Sequence, residues 1–568
     1  MRYIGAMLEI GAAKTEITTY EPQLGMMGWG MLDNVVESIA TPLHARAFVL
    51  RDPTARTSQA IVVCELALIS LALKDAVCAR LEADHPELGL THANLMLLAT
   101  HTHSGPGGFT HYEFYNVTIR GFSAHVLSQL AGGIVRALVD AAAAVRPAVM
   151  RWAEAEIDPT LEVAFNRNLP AYNTNPDVTR AEPGDSATAL DRTMRMLRFE
   201  DAQGQPFASV NFFAVHCTSV HSDNTAIHFD NKGYAARYVE EAMGPDYVAA
   251  FAQGATGDVT PNFRYHDDKP FMRGKHPDDD QSAAFNGKIQ ADHALSLLEA
   301  EGEVMPARLA SAHAFADFAS VSVDPEFVDG RQGLTTAPAE IGMAMFFGTE
   351  EGPGLPRQFL GVQKWLGAMR PFFRQRSHRE SYAHLQAEKI PFIETGARRF
   401  LGIRRLARLP IPWRVHATLR LVRAMATAQR GGTGAKPWTP NVLPAQLFVI
   451  GNAAISAVPG EFTTVSGRRM RATVGARLAP LGVTRTVLTG YANAYAGYVA
   501  TPQEYVLQCY EGASTHFGKW TLPAWQTWFA RLADTLVAGD GDRAPVELSE
   551  IRPPKFSEAE LSQRAFPA

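Results

Sequence analysis

The feature that most constrains the fold is a series of apolar runs, each of which ends in polar, loop-forming residues. Four such runs are QAIVVCELALISLAL, ANLMLLAT, PFASVNFFAVH and DYVAAFAQG. Runs rich in Val, Ile and Leu that alternate with helix-like or Gly-rich stretches are typical of buried strands in an α/β domain. We therefore predict an α/β fold with functional residues at the strand ends. The length of 568 residues predicts a large domain with insertions, or two domains.

Composition and charge exclude several classes of protein. Hydrophobic residues make up 46% of the chain and charged residues 20%, and the formal net charge is -5, so nothing indicates a nucleic-acid partner. The N-terminus lacks the apolar core of a secretory signal, and no window approaches twenty uninterrupted apolar residues; we therefore expect a cytoplasmic protein. The widely spaced cysteines indicate neither a disulfide framework nor a cysteine-ligated zinc site (Cys64, Cys78, Cys217 and Cys509).

One segment differs from the rest of the chain in its charge. Between Arg357 and Lys436 there are 17 Lys or Arg residues against three Glu, which indicates a basic, mainly helical insertion over residues 355–436. Residues 397–409 within it predict a basic amphipathic helix. Such a helix serves either to contact a membrane surface or to pack on its own domain or a second subunit. For residues 541–568, rich in charge and proline, we predict an extended tail.

The first chemical signal is the pair His101 and His103, directly after an apolar strand. Residues i and i+2 of a strand share a face, so both imidazoles point the same way and at least one is a candidate metal ligand. The Gly-rich run that follows, residues 104–108, allows close approach of a substrate or of another backbone.

Two later segments add polar groups of the same kind. His216 ends a second apolar strand and is followed by His221 and His228. The turn-rich sequence GATGDVTPN then supplies Asp258 and Thr260. Taken alone, His216 would be interpreted as a buried core histidine, and the segment GATGDVTPN as an ordinary loop.

Read in order, seven motifs resemble those of neutral ceramidases, which hydrolyse the amide of ceramide to sphingosine and a fatty acid. They are ATHTHSGPGGF, NRNLPAYNTNP, NFFAVHCTSV with FDNKGYAA, FAQGATGDVTPN, FGTEEGPG, PGEFTTVSGRRMR and GYVATPQEYVLQCYEGAST. The resemblance covers residues 5–530 apart from the basic insertion. It implies a large mixed-sheet catalytic domain over residues 1–540, without the C-terminal immunoglobulin-like domain of the family.

The resemblance also implies a zinc site and its surroundings. One Zn²⁺ per chain would be held by two histidines, a glutamate and a tyrosine (His101, His216, Glu461 and Tyr498). Tyr498 is chosen over Tyr495 because its distance in sequence from Tyr510 matches the family. Three further matches line the reaction centre (His103, Arg167 and Tyr510). Gly107 and Phe109 are candidates for substrate binding, and Phe109, Tyr112 and the basic insertion are candidates for the rim of the pocket.

The predicted ligand set suits zinc, because imidazole, carboxylate and phenolic oxygen form a mixed nitrogen and oxygen shell. His103 would move a proton toward the leaving amine. Thr260 departs from the family, which has a serine there, often assigned as the nucleophile. Its extra methyl group restricts the hydroxyl, so we favour a positioning role for Thr260.

Three functions stay open at this point. The first is hydrolysis of ceramide, and the second is hydrolysis of another acyl amide, such as an N-acyl amino acid or a xenobiotic amide, which Thr260 and Cys217 favour. The third is a non-catalytic lipid-binding protein, which the retained ligand set disfavours. The sequence leaves the oligomeric state open.

Overall fold

The computed structural model describes residues 7–352, 354, 384–400, 436–539 and 545–565. Its strands are β1 (Leu8–Glu16), β2 (Met26–Gly28), β3 (Ser38–Ile39), β4 (His44–Asp52), β5 (Thr57–Cys64), β6 (Leu95–Ala99), β7 (Ser104–Pro106), β8 (Arg146–Glu156), β9 (Phe165–Asn166), β10 (Thr193–Asp201), β11 (Pro206–Phe213), β12 (Ala226–Ile227), β13 (Val248–Gln253), β14 (Val259–Thr260), β15 (Glu303–Val304), β16 (Leu309–Asp317), β17 (Ile341–Gly342), β18 (Pro391–Glu394), β19 (Arg399–Phe400), β20 (Val442–Ile450), β21 (Ala453–Ala457), β22 (Glu461–Phe462), β23 (Arg485–Thr489), β24 (Tyr498–Val499) and β25 (Val546–Glu547). Its α-helices are α1 (Leu71–Asp84), α2 (Glu113–Asn116), α3 (Ala124–Ala143), α4 (Leu169–Tyr172), α5 (Asp230–Met243), α6 (Asp279–Glu299), α7 (Thr464–Leu478), α8 (Pro502–Leu507), α9 (Tyr510–Ser514), α10 (Thr521–Ala538) and α11 (Glu558–Gln563).

The largest sheet is mixed and has nine strands. Its order is β13–β11–β10–β8–β1–β4–β5–β6, with β15 beside β8. The pairs β5–β6 and β11–β13 are parallel, whereas β1 and β4 are antiparallel. Strands buried on both faces read as continuous apolar runs, which is why β6 and β13 stand out in the sequence. The predicted α/β fold with a large mixed sheet is confirmed.

A second sheet packs against the first and makes the molecule layered. Its order is β23–β21–β20–β16–β25. Because side chains alternate across a strand, Phe48 on β4 faces Phe448 and Ile455 of the second sheet. The neighbouring residue Val49 packs instead with the apolar face of α3. The layers therefore run helix, sheet, sheet, helix, with α7 and α10 outside the second sheet.

Helix α3 is a core helix of this fold. Among the described residues it is the one helix long and apolar enough, by length and composition, to cross a membrane. It packs directly on β1, where a Cβ added to Gly11 would lie 1.9 Å from the carbonyl oxygen of Ala141. Only glycine permits this approach.

The loops that follow β6, β11 and β13 meet at one place. The Nε2 atom of Gln253 donates to the carbonyl oxygens of Thr100 and Val215, at 2.7 Å in each case. Thr102 forms an isolated parallel bridge with Cys217. These contacts bring the two histidine segments side by side.

Two segments differ from the sequence predictions. Arg399 and Phe400 form strand β19, which pairs with β18 in register with Glu394 and Ile393. The predicted helix over 397–409 is therefore wrong in its first turn. Pairing with a neighbouring strand prevails there over the helical periodicity of the sequence. Residues 401–409 lie outside the described residues. In the region predicted as an extended tail, β25 pairs with β16 and α11 follows, so these residues pack on the domain.

Candidate metal centre and adjoining cavity

Two histidines have their ring orientation fixed by backbone carbonyls. The Nδ1 atom of His101 lies 2.6 Å from the carbonyl oxygen of Ala67, and that of His216 lies 2.7 Å from the carbonyl oxygen of Val259. A carbonyl oxygen only accepts, so each Nδ1 carries the proton and each Nε2 keeps its lone pair. His101 also has a positive φ of 72°, a strained conformation that clusters at functional sites.

Both Nε2 atoms lie near the carboxylate of Glu461. Its Oε2 atom lies 3.1 Å from Nε2 of His216 and 3.7 Å from Nε2 of His101, and one ligand atom from each of the three residues lies within 4.8 Å of the others. Three buried electron-pair donors this close repel one another unless a cation lies between them. The donor set therefore fits a divalent metal ion.

The ionisation of these groups agrees with metal binding. Burial lowers the pKa of His101 to about 4, although Glu461 opposes the shift, so the imidazole is neutral at pH 7. Burial disfavours the charge on Glu461, but polar neighbours, which include the hydroxyl of Tyr495 that donates to it, hold the pKa of that carboxyl below its usual range. A neutral imidazole, as at His101, and an ionised carboxylate, as at Glu461, are the forms that bind metal.

Three tyrosines of the sequence YANAYAGY surround Glu461. The hydroxyl of Tyr491 donates to Oε2 at 3.1 Å and its ring stacks on His101, with centroids 3.9 Å apart. Tyr495 donates to Oε1. Tyr498 lies opposite Glu461 in the parallel pair β22–β24, and its hydroxyl lies 3.4 Å from Nη2 of Arg167.

His103 lies against the cluster. Its Nε2 atom is 2.9 Å from Nε2 of His101, and its Nδ1 atom is buried without a hydrogen-bond partner in the described part of the chain. Burial, with the neighbouring histidines, lowers the pKa of His103 well below its usual value. This imidazole is therefore neutral and has one ring nitrogen unused.

A cavity of about 1010 Å³ is lined by three predicted catalytic residues (Arg167, Thr260 and Tyr510), two of which contact the predicted ligand Tyr498. Arg167 pairs with Glu351 and, through Nε at 3.0 Å, with Glu511. The guanidinium lies 5.3 Å from the centre of the Tyr510 ring, and that ring meets Tyr498 edge-on at 5.4 Å. Burial raises the pKa of Tyr510 to about 12, so its hydroxyl keeps its proton.

Thr260 follows a short strand pairing that places it at this cavity. Thr260 lies opposite Phe165 in the pair β14–β9. Asn166 and Arg167 follow Phe165 directly in the sequence, so this pairing brings Thr260 close to them. Its hydroxyl donates to the carboxylate of Glu351 and accepts the backbone N–H of Asn262 at 2.9 Å.

Other predicted site residues lie elsewhere. Phe109 is fully buried in the core, and a Cβ on Gly107 would lie 2.5 Å from both Ile119 and the carbonyl oxygen of Gly25. Neither residue lines the cavity, so the predicted position of Phe109 at its rim is not found. The ring of Phe109 packs instead in the core, in one cluster with residues of α3. Cys217 is buried and its thiol lies 3.3 Å from Oδ1 of Asn231, whereas Cys509 lines the cavity. All four cysteines are free.

Sequence reasoning missed Tyr491 and Glu351, and it considered Tyr495 only as an alternative to the ligand Tyr498. Tyr491 and Tyr495 support Glu461, and the repeated tyrosines of YANAYAGY were the available signal. Glu351 binds Arg167 and Thr260 from a loop whose sequence, FGTEEGPG, offers two adjacent glutamates and no periodicity to choose between them.

Two histidines and a glutamate at strand ends, beside a cavity, define a class of protein. This donor set is the one used by catalytic metal sites of hydrolases, which leave a coordination position free for water or substrate. The donor set and the α/β fold thus fit a metal-dependent hydrolase, one of the classes of enzyme that hold a metal ion with two histidines and a carboxylate.

Comparison with known proteins gives the family. The profile of the neutral/alkaline non-lysosomal ceramidase N-terminal domain matches residues 8–401 and 425–527. The neutral ceramidase of Pseudomonas aeruginosa is 34% identical over 96% of this chain and 73% of its own length, and neutral ceramidase A of Dictyostelium discoideum is 32% identical over 94% and 73%. A solved ceramidase complexed with C2 has a TM-score of 0.79 at 32% identity, covering 97% of this chain and 77% of its own. The chain belongs to the neutral/alkaline non-lysosomal ceramidase family.

Proposed function

We propose that this protein hydrolyses the amide bond of ceramide, giving sphingosine and a fatty acid, with one zinc ion held by His101, His216, Glu461 and Tyr498. The observation that carries the proposal is the convergence of two fixed Nε2 lone pairs on a buried carboxylate, in a member of the ceramidase family. Zinc is chosen because the shell mixes imidazole with oxygen donors. Tyr498 is included because its strand places it beside Glu461.

When bound, zinc supplies Lewis acidity that activates water and polarises a carbonyl group. The protein's own residues stabilise the developing charge, move protons and position the reacting groups. The hydroxyl of Tyr510, which keeps its proton, donates to the amide oxygen as negative charge develops there. His103 accepts, at a ring nitrogen, the proton that the attacking water loses and passes it to the leaving amine. Thr260 positions the reacting groups from the cavity wall.

The charges of the cavity favour ceramide over an N-acyl amino acid. The cavity is lined by two arginines and four glutamates (Arg167, Arg180, Glu182, Glu350, Glu351 and Glu511). Arg167 is already paired with two of the glutamates, and Arg180 lies 3.6 Å from Glu182. Glutamates outnumber arginines among the described cavity residues, so they repel a substrate carboxylate, whereas ceramide carries only neutral hydroxyl groups beside its amide.

The test is product release from C12 ceramide beside N-dodecanoyl glycine, measured by mass spectrometry on the zinc-loaded protein. We expect sphingosine release, and a rate on the glycine conjugate at least about tenfold lower, a difference of 1.4 kcal/mol in transition-state binding. Cleavage of the glycine conjugate alone would refute the ceramide assignment. No turnover of either amide, with zinc bound, would support a binding role instead.

A further inference from the structure

One buried carboxylate joins parts of the cavity that the proposed mechanism treats separately. Glu351 is 4% exposed. Its Oε1 atom accepts a hydrogen bond from Nη1 of Arg167, and its Oε2 atom accepts from the hydroxyl of Thr260 and from Nδ2 of Asn262, the latter at 3.2 Å. These partners come from chain segments far from Glu351, so this side chain ties the loops of the cavity wall together.

The backbone around Glu351 is held in place as well. Its carbonyl oxygen accepts a hydrogen bond from Nε2 of His221, and Thr349 bridges to Gly352 across the turn. A Cβ on Gly352 would lie 3.2 Å from the ring of Trp29, and Trp29 packs edge-on against His103 at 5.0 Å. The loop is therefore fixed against the residues beside the metal cluster.

The hydrogen bonds of Thr260 determine whether its hydroxyl can donate or accept a hydrogen bond on the side of the cavity. An ionised carboxylate only accepts, so the proton of Thr260 is directed at Glu351. One lone pair of the hydroxyl oxygen accepts the N–H of Asn262, and one lone pair remains. Toward the cavity, Thr260 is therefore a hydrogen-bond acceptor, suited to a water molecule or to the N–H of the amide.

The hydrogen bonds of Arg167 are restricted in a similar way. Its Nε atom donates to Glu511, and its Nη2 atom donates to the carbonyl oxygen of Gly257 at 2.8 Å and faces the hydroxyl of Tyr498. Glu511 accepts hydrogen bonds from Arg167 and Asn168, and in the described part of the chain it forms none with Thr260. Glu351 alone among the described residues binds both, so it links the acceptor in the cavity wall to the guanidinium beside the predicted metal ligand.

The negative charge of Glu351 stabilises these contacts. Burial opposes ionisation of Glu351, but Arg167, together with the hydrogen bond from Thr260, holds the pKa of its carboxyl below the usual range. A carboxylate paired this closely with arginine is a weak base, which argues against proton abstraction from Thr260.

We propose that Glu351 is a positioning residue for amide hydrolysis, which orients Thr260 as a hydrogen-bond acceptor toward the cavity and holds Arg167 against Tyr498. This role rests on the proposed function. It assigns Thr260 to placing water or the amide N–H, and it explains how a threonine serves where the family has a serine.

The test compares Glu351→Gln with Glu200→Gln. Glu200 is also buried and paired with two arginines, but it lies opposite Pro206 at the start of β11, at the far end of that strand from His216. For Glu351→Gln we expect kcat on C12 ceramide to fall about 10- to 100-fold, as for other residues that orient a metal site, with KM within about twofold and zinc content unchanged. Glu200→Gln should keep the wild-type kcat.

A double-mutant cycle separates positioning from packing. If Glu351 acts through Thr260, Glu351→Gln combined with Thr260→Val should lose little more than the larger single loss, and Thr260→Ser should lose less than Thr260→Val. Losses that multiply, or a Glu351→Gln rate equal to that of Glu200→Gln, would overturn the proposal. If Glu351→Gln does not fold, wild-type kcat in Thr260→Val would overturn it as well. Wild-type protein inactive on ceramide would instead refute the proposed function.

Discussion

The metal cluster and the cavity beside it are built by different means. His101 and His216 are oriented by backbone carbonyls at the ends of sheet strands, so the fold itself sets their geometry. Arg167, Glu351 and Glu511 are oriented by one another through charged side-chain contacts. We therefore expect substitutions in the cluster to abolish metal binding, and substitutions in the cavity network to lower the rate of hydrolysis while the metal is retained.

The largest expected effect comes from a change to the cluster. Glu461→Gln keeps the shape of the side chain but removes the charge between the two imidazoles. We expect bound zinc to fall from one per chain to near zero, and ceramide turnover to fall more than about 1000-fold, because several kcal/mol of transition-state stabilisation depends on the ion. Zinc analysis and turnover are measured on the same samples. Full zinc occupancy in this variant would contradict the assignment of Glu461.

A change to the network should act differently. Arg167→Lys keeps the charge but loses the planar fork that reaches Glu351, Glu511 and Tyr498 together. We expect kcat to fall about 100-fold with zinc content unchanged, as read by metal analysis and steady-state kinetics. If zinc were lost in parallel with activity, the cluster and the network would be one unit and the comparison would fail.

The tyrosines lie at the boundary between the two regions and give a smaller effect. Tyr495→Phe removes a hydrogen bond to Glu461, and we expect about a tenfold loss of zinc affinity, as is usual for partners of metal ligands. Tyr498→Phe removes a predicted ligand and should cost more. Competition with a zinc chelator measures both. A larger loss for Tyr495→Phe than for Tyr498→Phe would reverse the choice between the two tyrosines.

The smallest effect concerns stability and pH. Burial raises the pKa of Asp258 to about 6 and that of Glu504 to about 7. The folded state thus binds protons more tightly than the unfolded chain, and this stabilisation is lost as pH rises from about 4.5 to 7.5. We expect the free energy of unfolding in urea of the wild type, measured relative to that of Glu504→Gln, to fall over that range. Equal slopes for the two proteins would show that Glu504 contributes nothing to it.

The same contrast explains what the sequence could predict. His101, His216 and Glu461 each end or begin a strand within a recognisable motif, and the structure brings them together. Glu351 lies in an irregular loop, and its role depends on side chains from distant segments, which no local pattern encodes. Phe109 was misplaced for a related reason, since a sequence motif does not tell whether an aromatic ring faces a cavity or the core.

The basic segment shows the limit of periodicity. Charged and apolar residues spaced as in a helix begin at Arg398, but Arg399 pairs across the strand with Glu394, a buried acid that attracts it. Tertiary pairing of this kind cannot be deduced from a helical wheel.

Zinc-dependent ceramide hydrolysis is the central claim, and one reconstitution tests it most directly. The protein is stripped of metal, zinc is returned in steps, and bound zinc and sphingosine release from C12 ceramide are measured in each sample. We predict no release from the stripped protein and a linear rise in rate that saturates at one zinc per chain. Full activity without metal, or saturation with zinc and no release, would contradict the claim.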